Sequence, residues 1–245
     1  MRRFLVSPEL LASQSFAIEG ELYRHMIKVL RLNVGDRVRL FDGNGQEGTA
    51  VILGIGPRDL TVTLESPPTA HLTQTLAITL IQGLPKGEKG DLIVQKATEL
   101  GVSSIVAFPA QRSVVKIAAD QRAQRQARWQ RIADEAARQS RRSSIPSVVL
   151  AESLPSVLER SVDTMKLLLW EGEQQHHLKE ALSAPLAPAS IAILVGPEGG
   201  ITDSEAGLAV SHGFTAVSLG PRILRTETAG LAMLAILQYH WGDMG

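Results

Sequence analysis

The hydrophobic pattern of this chain changes near residue 66. Before that point the apolar residues come in short runs that alternate with polar positions, and Gly, Asn and Asp separate the runs. This pattern is typical of β-strands joined by tight turns. The predicted strands are residues 38–41, 49–53 and 60–64. We therefore expect a small β-barrel-like unit at the start of the chain.

One helical pattern interrupts these strands, from Glu21 to Leu32. Its apolar residues recur on one face, as in a helix that packs one side on a core. The basic side chains of the other face are spaced i, i+4, i+7: Arg24, Lys28 and Arg31. An ordinary amphipathic surface helix has the same pattern, so the spacing leaves a ligand-binding role open.

The sequence Ser66-Pro67-Pro68-Thr69 ends the first pattern. Paired prolines lack backbone donors and restrict their own φ angles, as is common in linkers. We predict two domains on this basis, residues 1–68 and residues 69–245.

Beyond this linker the apolar runs are longer and alternate with helical stretches. The predicted strands are residues 76–81, 104–108, 165–170 and 191–195, and the predicted helices are residues 91–100, 120–140, 204–212 and 228–241. Strands that are apolar at nearly every position are buried on both faces. Their alternation with helices predicts an open, mainly parallel α/β sheet.

Composition excludes several classes of protein. With 245 residues, of which 44% are hydrophobic and 20% charged, the chain can bury a substantial core. No apolar run approaches the roughly 18 residues that a membrane span requires, and the start MRRFLVSPELLASQ soon becomes polar, so we expect a cytoplasmic protein without a membrane partner. The absence of cysteine excludes disulfides, thiolate metal sites and a cysteine nucleophile.

Charge is distributed unevenly although the net charge is zero. Residues 111–142 contain nine basic and three acidic side chains, whereas residues 143–245 contain five basic and eleven acidic ones. A solvated helix face is one explanation for the basic segment. Because arginine predominates over lysine there, bidentate contacts to phosphate are the alternative.

One nucleotide-binding pattern occurs in the wrong context. Residues 43–48, GNGQEG, satisfy GxGxxG. The β-branched run that follows them predicts a strand, whereas a dinucleotide site requires a helix N-terminus at that point. We interpret these residues as a hairpin turn.

A glycine-bearing turn at residues 196–200, GPEGG, follows the predicted strand 191–195. Thr202 and Glu205 have the spacing of a capping box, so a helix begins directly after the turn. Glycines allow backbone groups to approach a ligand, and such a loop suits the edge of an adenine or a ribose. A tight connection that requires positive φ is the alternative explanation.

A second such turn, residues 219–225 (LGPRILR), follows the short apolar run 216–218, and we predict that Thr226 caps the next helix. Arg222 and Arg225 stand just before a helix that is apolar around most of its circumference. That helix must be buried in the core or against another subunit. Ligands of parallel sheets lie at the carboxyl ends of strands, so two turns at strand ends that we expect to be adjacent predict one pocket.

Four segments together resemble a known family: HMIKVLRLNVGDRVRLFDGNG, KGEKGDLIVQKATELGV, LVGPEGGITDSE and LGPRILRTETAGLAML. Along nearly its whole length the chain is similar to the bacterial 16S rRNA (uracil-N3)-methyltransferases of the SPOUT superfamily. The resemblance implies a PUA-like RNA-binding β-barrel followed by an α/β-knotted (SPOUT-like, trefoil knot) catalytic domain, active as a homodimer. Periodicity alone does not show the knot, a rare topology.

The resemblance also implies a methyl donor, S-adenosylmethionine, and a partner, 16S rRNA within the small ribosomal subunit. The donor-binding residues that it implies are Leu169, Trp170, Glu171, Leu194, Val195, Gly196, Pro197, Glu198, Gly199, Gly200, Leu219, Gly220, Ile223, Leu224, Arg225, Thr228 and Ala229. The candidate RNA-binding residues are Arg24, Lys28, Arg31, Lys86, Arg112, Arg138, Arg141 and Arg142. No metal is implied.

Methyl transfer from a sulfonium is an in-line displacement that needs positioning of donor and acceptor. Uracil N3 becomes nucleophilic on losing its proton, so a chain without cysteine fits N3 better than a C5 route through a cysteine adduct. As catalytic candidates we take Arg225 or Arg222 to stabilise the uracil anion, and Glu198 or Glu227 as the base. Two alternatives remain: a related enzyme acting on ribose 2′-OH or tRNA, and a non-catalytic RNA-binding assembly factor.

Overall fold

A computed structural model describes residues 1–70, 76–113, 117, 119–173, 176–184 and 186–244. The chain divides into two compact units, Met1–Thr73 with Ala137–Ile145, and Gln74–Ala136 with Pro146–Gly245. The sequence pattern did not predict that Ala137–Ile145 joins the first unit. Lys116, one of the basic residues counted above, lies outside the described residues.

The first unit is built on a six-stranded sheet. Its strands are β1 (Arg2–Leu5), β2 (Ser15–Glu19), β3 (Arg37–Phe41), β4 (Gln46–Ile55), β5 (Asp59–Leu64) and β6 (Thr69–Ala70). They pair in the order β1-β3-β4-β5-β2, with β6 added to β4. β1 and β3 are parallel and the other pairs antiparallel. The three predicted strands are confirmed. β1, β2 and the two-residue β6 were missed, because β1 begins with two arginines and all three pair with strands distant in sequence.

The prediction of a hairpin at residues 43–48 is confirmed. Residues 42–45 connect β3 to β4, which begins at Gln46, and Gly43 and Gly45 have φ angles of 79° and 97°. The side chain of Asp42 closes the turn by accepting hydrogen bonds from the backbone N–H groups of Asn44 and Gln46. No helix begins there, so GxGxxG has no nucleotide-binding geometry.

The predicted helix 21–32 is only partly correct. The unit has a short helix α1 (Pro8–Leu11) and a second, α2 (Gly20–Arg24), which passes into a π-helical turn, His25–Val29. The wider turn brings Met26 into the core, where it is fully buried. The helix ends before Arg31, whose φ of 53° is left-handed.

The second unit contains a six-stranded, fully parallel sheet. Its strands are β7 (Ala77–Gly83), β8 (Ser104–Phe108), β9 (Ser147–Leu150), β10 (Met165–Leu169), β11 (Ser190–Val195) and β12 (Thr215–Val217). Their order is β12-β10-β11-β7-β8-β9. Neighbouring strands are parallel throughout. The predicted open, parallel α/β sheet is confirmed, although the four-residue edge strand β9 was missed.

Helices flank this sheet: α3 (Lys89–Glu99), α4 (Ala119–Gln139), α5 (Leu154–Arg160), α6 (Leu178–Ala181), α7 (Asp203–Ser211) and α8 (Thr226–Trp241). The bounds of the four predicted helices differ from these by at most two residues at either end. In α8, Met233, Leu234 and Leu237 are fully buried, whereas Ile236 and Tyr239 are exposed. Helix α8 is therefore not buried all round within one chain. Within the described ranges, no helix has the length and apolarity to cross a membrane.

Candidate active site

A cavity of about 860 Å³ opens at the carboxyl ends of β10, β11 and β12 in the second unit. Ligand pockets commonly measure roughly 300–1,000 Å³. The loops that follow β10, β11 and β12 form its walls. The prediction that both glycine turns line one pocket is confirmed, but their strands are not adjacent, because β10 lies between β11 and β12.

Most of the predicted donor-binding residues line this cavity. They are Leu169, Trp170, Glu171, Val195, Gly196, Pro197, Glu198, Gly200, Leu219, Gly220, Ile223, Leu224, Arg225 and Ala229. Arg222, a catalytic candidate, also lines it. Leu194, Gly199 and Thr228 do not: Leu194 is fully buried in β11, and Thr228 is exposed on α8.

Sequence reasoning missed other lining residues. They are Lys89, Glu173, His177, Ile201, Val217 and Ser218. Pro221, which belongs to the predicted second turn, and Thr226, which directly follows it, line the cavity as well. The position of Lys89 in the sequence could have identified it as a lining residue. This residue begins α3, the next element after β7, and the carboxyl ends of all strands of a parallel sheet meet at one edge.

The first turn packs so closely that only glycine fits at several positions. A Cβ atom on Gly196 would lie 2.9 Å from the backbone carbon of Gly200, and Gly200 itself has a φ of 73°. A Cβ on Gly83, at the end of β7, would lie 2.5 Å from Cδ of Pro197. The turn thus packs against a neighbouring strand and presents backbone atoms without side chains, a surface that suits the edge of a nucleoside.

The predicted capping box after this turn is confirmed. The Oγ1 atom of Thr202 accepts a hydrogen bond of 3.2 Å from the N–H of Glu205, and a carboxylate oxygen of Glu205 accepts one of 3.0 Å from the N–H of Thr202. The other carboxylate oxygen accepts from the N–H of Gln111 at 2.8 Å. Helix α7 therefore begins at a fixed point, and the glycine turn before it is held at both ends.

The prediction that Thr226 caps α8 is wrong. Arg225 occupies the N-cap position without a side-chain cap, and Thr226 is already in the helix. Its hydroxyl is buried and donates a 2.6 Å hydrogen bond to the carbonyl of Gly196. The side chain faces the first turn instead of its own helix end, and this contact joins two segments that are 30 residues apart.

Lys89 lies between two carboxylates at the rim of the pocket. Its ammonium nitrogen is 3.0 Å from Glu198 and 3.2 Å from Glu227. The hydrogen bond to Glu198 is the main reason that the pKa of Lys89 is raised. Burial by itself raises the pKa of Glu198, but hydrogen bonds from its own backbone, from Lys89 and from the N–H of Lys86 outweigh burial and lower it. Lys89 and Glu198 are therefore both charged at neutral pH.

The two arginines of the second turn extend outward. The side chain of Arg225 is 82% exposed, and its guanidinium is 4.0 Å from Glu227. Arg222 is exposed as well. Both side chains are thus accessible to a substrate that enters from solvent, and both residues line the cavity.

The candidate RNA-binding residues divide by exposure and by unit. In the first unit Arg24, Lys28, Arg31, Arg138 and Arg141 are exposed, and in the second unit Lys86 and Arg112 are exposed. Arg142 is different, because it is only 9% exposed and donates a hydrogen bond to the hydroxyl of Ser144. A buried guanidinium does not present itself to a phosphate, so the structure does not support Arg142 as a surface contact.

Two family models match the chain. The RNA methyltransferase domain matches residues 73–238, and the RNA methyltransferase PUA domain matches residues 18–65. Ribosomal RNA small subunit methyltransferase E of Bacillus subtilis is 32% identical over 240 residues, which cover 96% of this chain and 94% of that protein. This chain belongs to the ribosomal RNA small subunit methyltransferase E family. It is an RNA methyltransferase with a PUA-like domain before an α/β domain.

Solved structures of similar proteins share the complete architecture. A ribosomal RNA small subunit methyltransferase E from Neisseria gonorrhoeae, bound to S-adenosyl methionine, is 34% identical, with a TM-score of 0.85 and full coverage of both chains. A Legionella pneumophila methyltransferase in complex with the cofactor SAM is 32% identical, with a TM-score of 0.84 and 98% coverage of both chains. The family resemblance of the four sequence segments is thereby confirmed.

Proposed function

We propose that this protein transfers a methyl group from S-adenosylmethionine to N3 of one uridine in 16S ribosomal RNA. The main support for this proposal is the cavity at the carboxyl ends of β10, β11 and β12, since it combines a glycine turn that presents its backbone with two accessible arginines. Similar proteins from Neisseria gonorrhoeae and Legionella pneumophila hold the donor in the same fold. N3 as the target atom rests on the family resemblance.

The residues of the cavity suit the donor. Bound S-adenosylmethionine supplies an electrophilic methyl group on a sulfonium. Residues 196–200 and 219–225 would hold it chiefly through their backbones, because glycines at Gly196, Gly200 and Gly220 leave no side chain in the way. Trp170, from the loop after β10, also lines the cavity, and its ring packs on Gly172, where a Cβ would lie 2.6 Å from it.

The acceptor requires loss of a proton and stabilisation of the resulting anion. Arg225 and Arg222 are the groups that we assign to the anion, because both are exposed at the mouth of the cavity. A carboxylate with a lowered pKa is a weaker base, which counts against Glu198. We therefore give Glu198 the task of holding Lys89, at 3.0 Å, and keep Glu227 as the other candidate for the base.

The first unit is assigned to RNA recognition. Arg24, Lys28 and Arg31 are exposed on it and would contact phosphates of 16S rRNA within the small subunit. This proposal also includes a domain boundary between residues 68 and 69, a trefoil knot in the second domain and a cytoplasmic location. A homodimer is the remaining part, and it would cover Ile236 and Tyr239 of α8, which one chain leaves exposed.

Mapping modified nucleotides in 16S rRNA tests the function. Cells that lack this protein are expected to lose 3-methyluridine at a single site, and a plasmid copy of the wild-type gene is expected to restore it. An unchanged modification profile would overturn the assignment. Loss of a ribose 2′-O-methyl group or of a tRNA modification would establish a related enzyme instead.

Calorimetry with S-adenosylmethionine separates an enzyme from a non-catalytic assembly factor. We expect the purified protein to bind the donor and to methylate small-subunit rRNA or small subunits in vitro. Absence of binding together with an unchanged modification profile would identify an assembly factor.

A further inference from the structure

Gln82 is a buried polar residue beneath the candidate active site. It lies in β7, one residue before the close approach of Gly83 to Pro197, and only 2% of it is exposed. It does not line the cavity. Gln82 directly follows an apolar run in the sequence, so the presence of a buried amide at this position needs a structural explanation.

The amide of Gln82 is oriented by three acceptors. Its Nε2 atom lies 2.8 Å from Oγ1 of Thr226, 3.2 Å from the carbonyl of Gly196 and 3.0 Å from the carbonyl of Gly83. Two carbonyls on one side require the NH₂ group to face them. The Oε1 atom is left buried and unpaired within the part of the chain that the structure describes, an arrangement that costs stability. An apolar side chain would avoid that cost.

Thr226 continues the chain of hydrogen bonds to the first turn. Its hydroxyl accepts from Gln82 and donates to the carbonyl of Gly196 at 2.6 Å. Gly196 begins the first glycine turn, and Thr226 directly follows the second. One buried cluster, Gln82, Thr226 and Gly196, therefore joins the two turns that line the cavity.

A second link runs along the rim of the same pocket. Glu227, the neighbour of Thr226, contacts Lys89 at 3.2 Å, and Lys89 contacts Glu198 of the first turn at 3.0 Å. The start of α8 is thus fastened to the first turn at two points, one buried and one partly exposed. The buried point is the stronger constraint, because water does not compete for its hydrogen bonds.

We propose that Gln82 and Thr226 are positioning residues that hold the two glycine turns at the separation the methyl donor requires. This inference rests on the proposed function, since it assigns these residues to the same donor pocket. Without the cluster the turns occupy the binding-competent arrangement for a smaller fraction of the time. The apparent dissociation constant for the donor then rises in inverse proportion to that fraction, while turnover at saturating donor changes little.

The test is a graded series at Thr226 with one variant at Gln82. Thr226→Ser keeps the hydroxyl, Thr226→Cys replaces it with a weaker donor, and Thr226→Val and Gln82→Met remove the hydrogen bonds at similar volume. Thr98→Val is the matched control. Thr98 is also fully buried, and its hydroxyl donates at 2.7 Å to the carbonyl of Val94, within α3 and outside the pocket lining.

Melting temperature, donor affinity by calorimetry, and kcat and KM for the donor are measured for each protein. We expect KM and the dissociation constant to rise about ten-fold in Thr226→Val and Gln82→Met, with kcat within about three-fold of wild type. Thr226→Ser is expected to stay within about two-fold of wild type, and Thr226→Cys to fall between serine and valine. Thr98→Val is expected to lower the melting temperature without changing KM.

Two results would overturn this inference. One is an unchanged KM for the donor in Thr226→Cys and in whichever of the variants Thr226→Val and Gln82→Met folds. The other is a rise in KM that depends only on how far the melting temperature falls, so that Thr98→Val raises KM as much as a pocket variant of equal melting temperature. Failure of the wild-type protein to bind S-adenosylmethionine would count against the proposed function instead, so the two failures are distinguishable.

Discussion

Gly83 lies directly against Pro197. A Cβ atom on Gly83 would be 2.5 Å from Cδ and 2.7 Å from the backbone nitrogen of Pro197. The end of β7 therefore packs against the ring and backbone of Pro197 in the first glycine turn, with no space for a side chain on residue 83. This contact sets how deep the turn sits at the edge of the sheet.

Gly83→Ala is expected to lower the free energy of unfolding by about 1–3 kcal/mol, because neither backbone segment yields easily to a methyl group. It should also weaken donor binding, since the turn must shift. Thermal unfolding and calorimetry measure the two effects. Gly54→Ala is the control, because a Cβ at that strand position meets nothing within 4 Å. Equal stability in the two variants would contradict the contact.

Arg225→Ala is expected to lower kcat by about 10²–10³ if its guanidinium stabilises the uracil anion. Donor affinity should remain near the wild-type value, because the side chain is 82% exposed to solvent. Single-turnover methylation with calorimetry in parallel checks both. Arg222→Ala shows how the two arginines divide the task, and Arg160→Ala on α5 is the exposed control. Unchanged turnover removes Arg225 from the mechanism.

The contact between Lys89 and Glu198 is expected to be independent of pH around neutrality. The pKa of Glu198 is lowered, so its contribution to stability is fully present above its ordinary value of 4.5 and is lost as the pH falls through the lowered value. The pKa of Lys89 is raised, so its contribution is present below 10.5 and is lost as the pH rises through the raised value.

Glu198→Gln should therefore lower the melting temperature by a small, constant amount between pH 6 and pH 9. The difference from wild type should shrink as the pH falls below about 4.5, the ordinary value of the carboxyl. The acid limb of the activity profile should stay in place, since Glu198 does not titrate near neutrality. A shifted limb would restore Glu198 as the base.

Neutralising Arg24 and Lys28 together is expected to weaken RNA binding at every sequence tested. Each lost phosphate contact should reduce the slope of log affinity against log salt by about 0.7–0.9. Filter binding over a salt series gives this slope. Arg37→Ala is the control in the same unit, because Arg37 is 68% exposed and already pairs with Glu65 at 2.7 Å. Equal slopes for all proteins would locate the RNA surface elsewhere.

Ile236→Glu is expected to dissociate the proposed homodimer, because it places a charge on the exposed apolar part of α8. Sedimentation analysis over a range of protein concentrations measures the change. Val210→Glu is the control, since Val210 is 52% exposed on α7. A wild-type protein that sediments as a monomer at all concentrations would overturn the dimer.

Features that depend on residues close together in the chain could be predicted from the sequence. The apolar runs 104–108 and 191–195 form strands because they are buried on both faces, and Thr202 with Glu205 begins α7 because a capping box satisfies free N–H groups. The two glycine turns identified the pocket for a related reason. Their backbone freedom and their place after strands are properties of a few consecutive residues.

Other features depended on segments that are distant in sequence. The position of β10 between β11 and β12 follows from the crossover connections, which no local pattern encodes. The same is true of Arg142, whose burial is set by its surroundings in the first unit, although its sequence context is that of an exposed arginine.

The sequence by itself determined the four longest helices and most strands, the strand-end location of the site and the family, since these depend on periodicity, caps and specific short segments. Only the tertiary structure decided that Lys89 joins two carboxylates, that Thr226 binds Gly196 instead of capping its helix, and that Gln82 lies beneath both turns. The physical reason is that hydrogen bonds and ion pairs of a site are made between chain segments, and their geometry exists only once the sheet has brought those segments together.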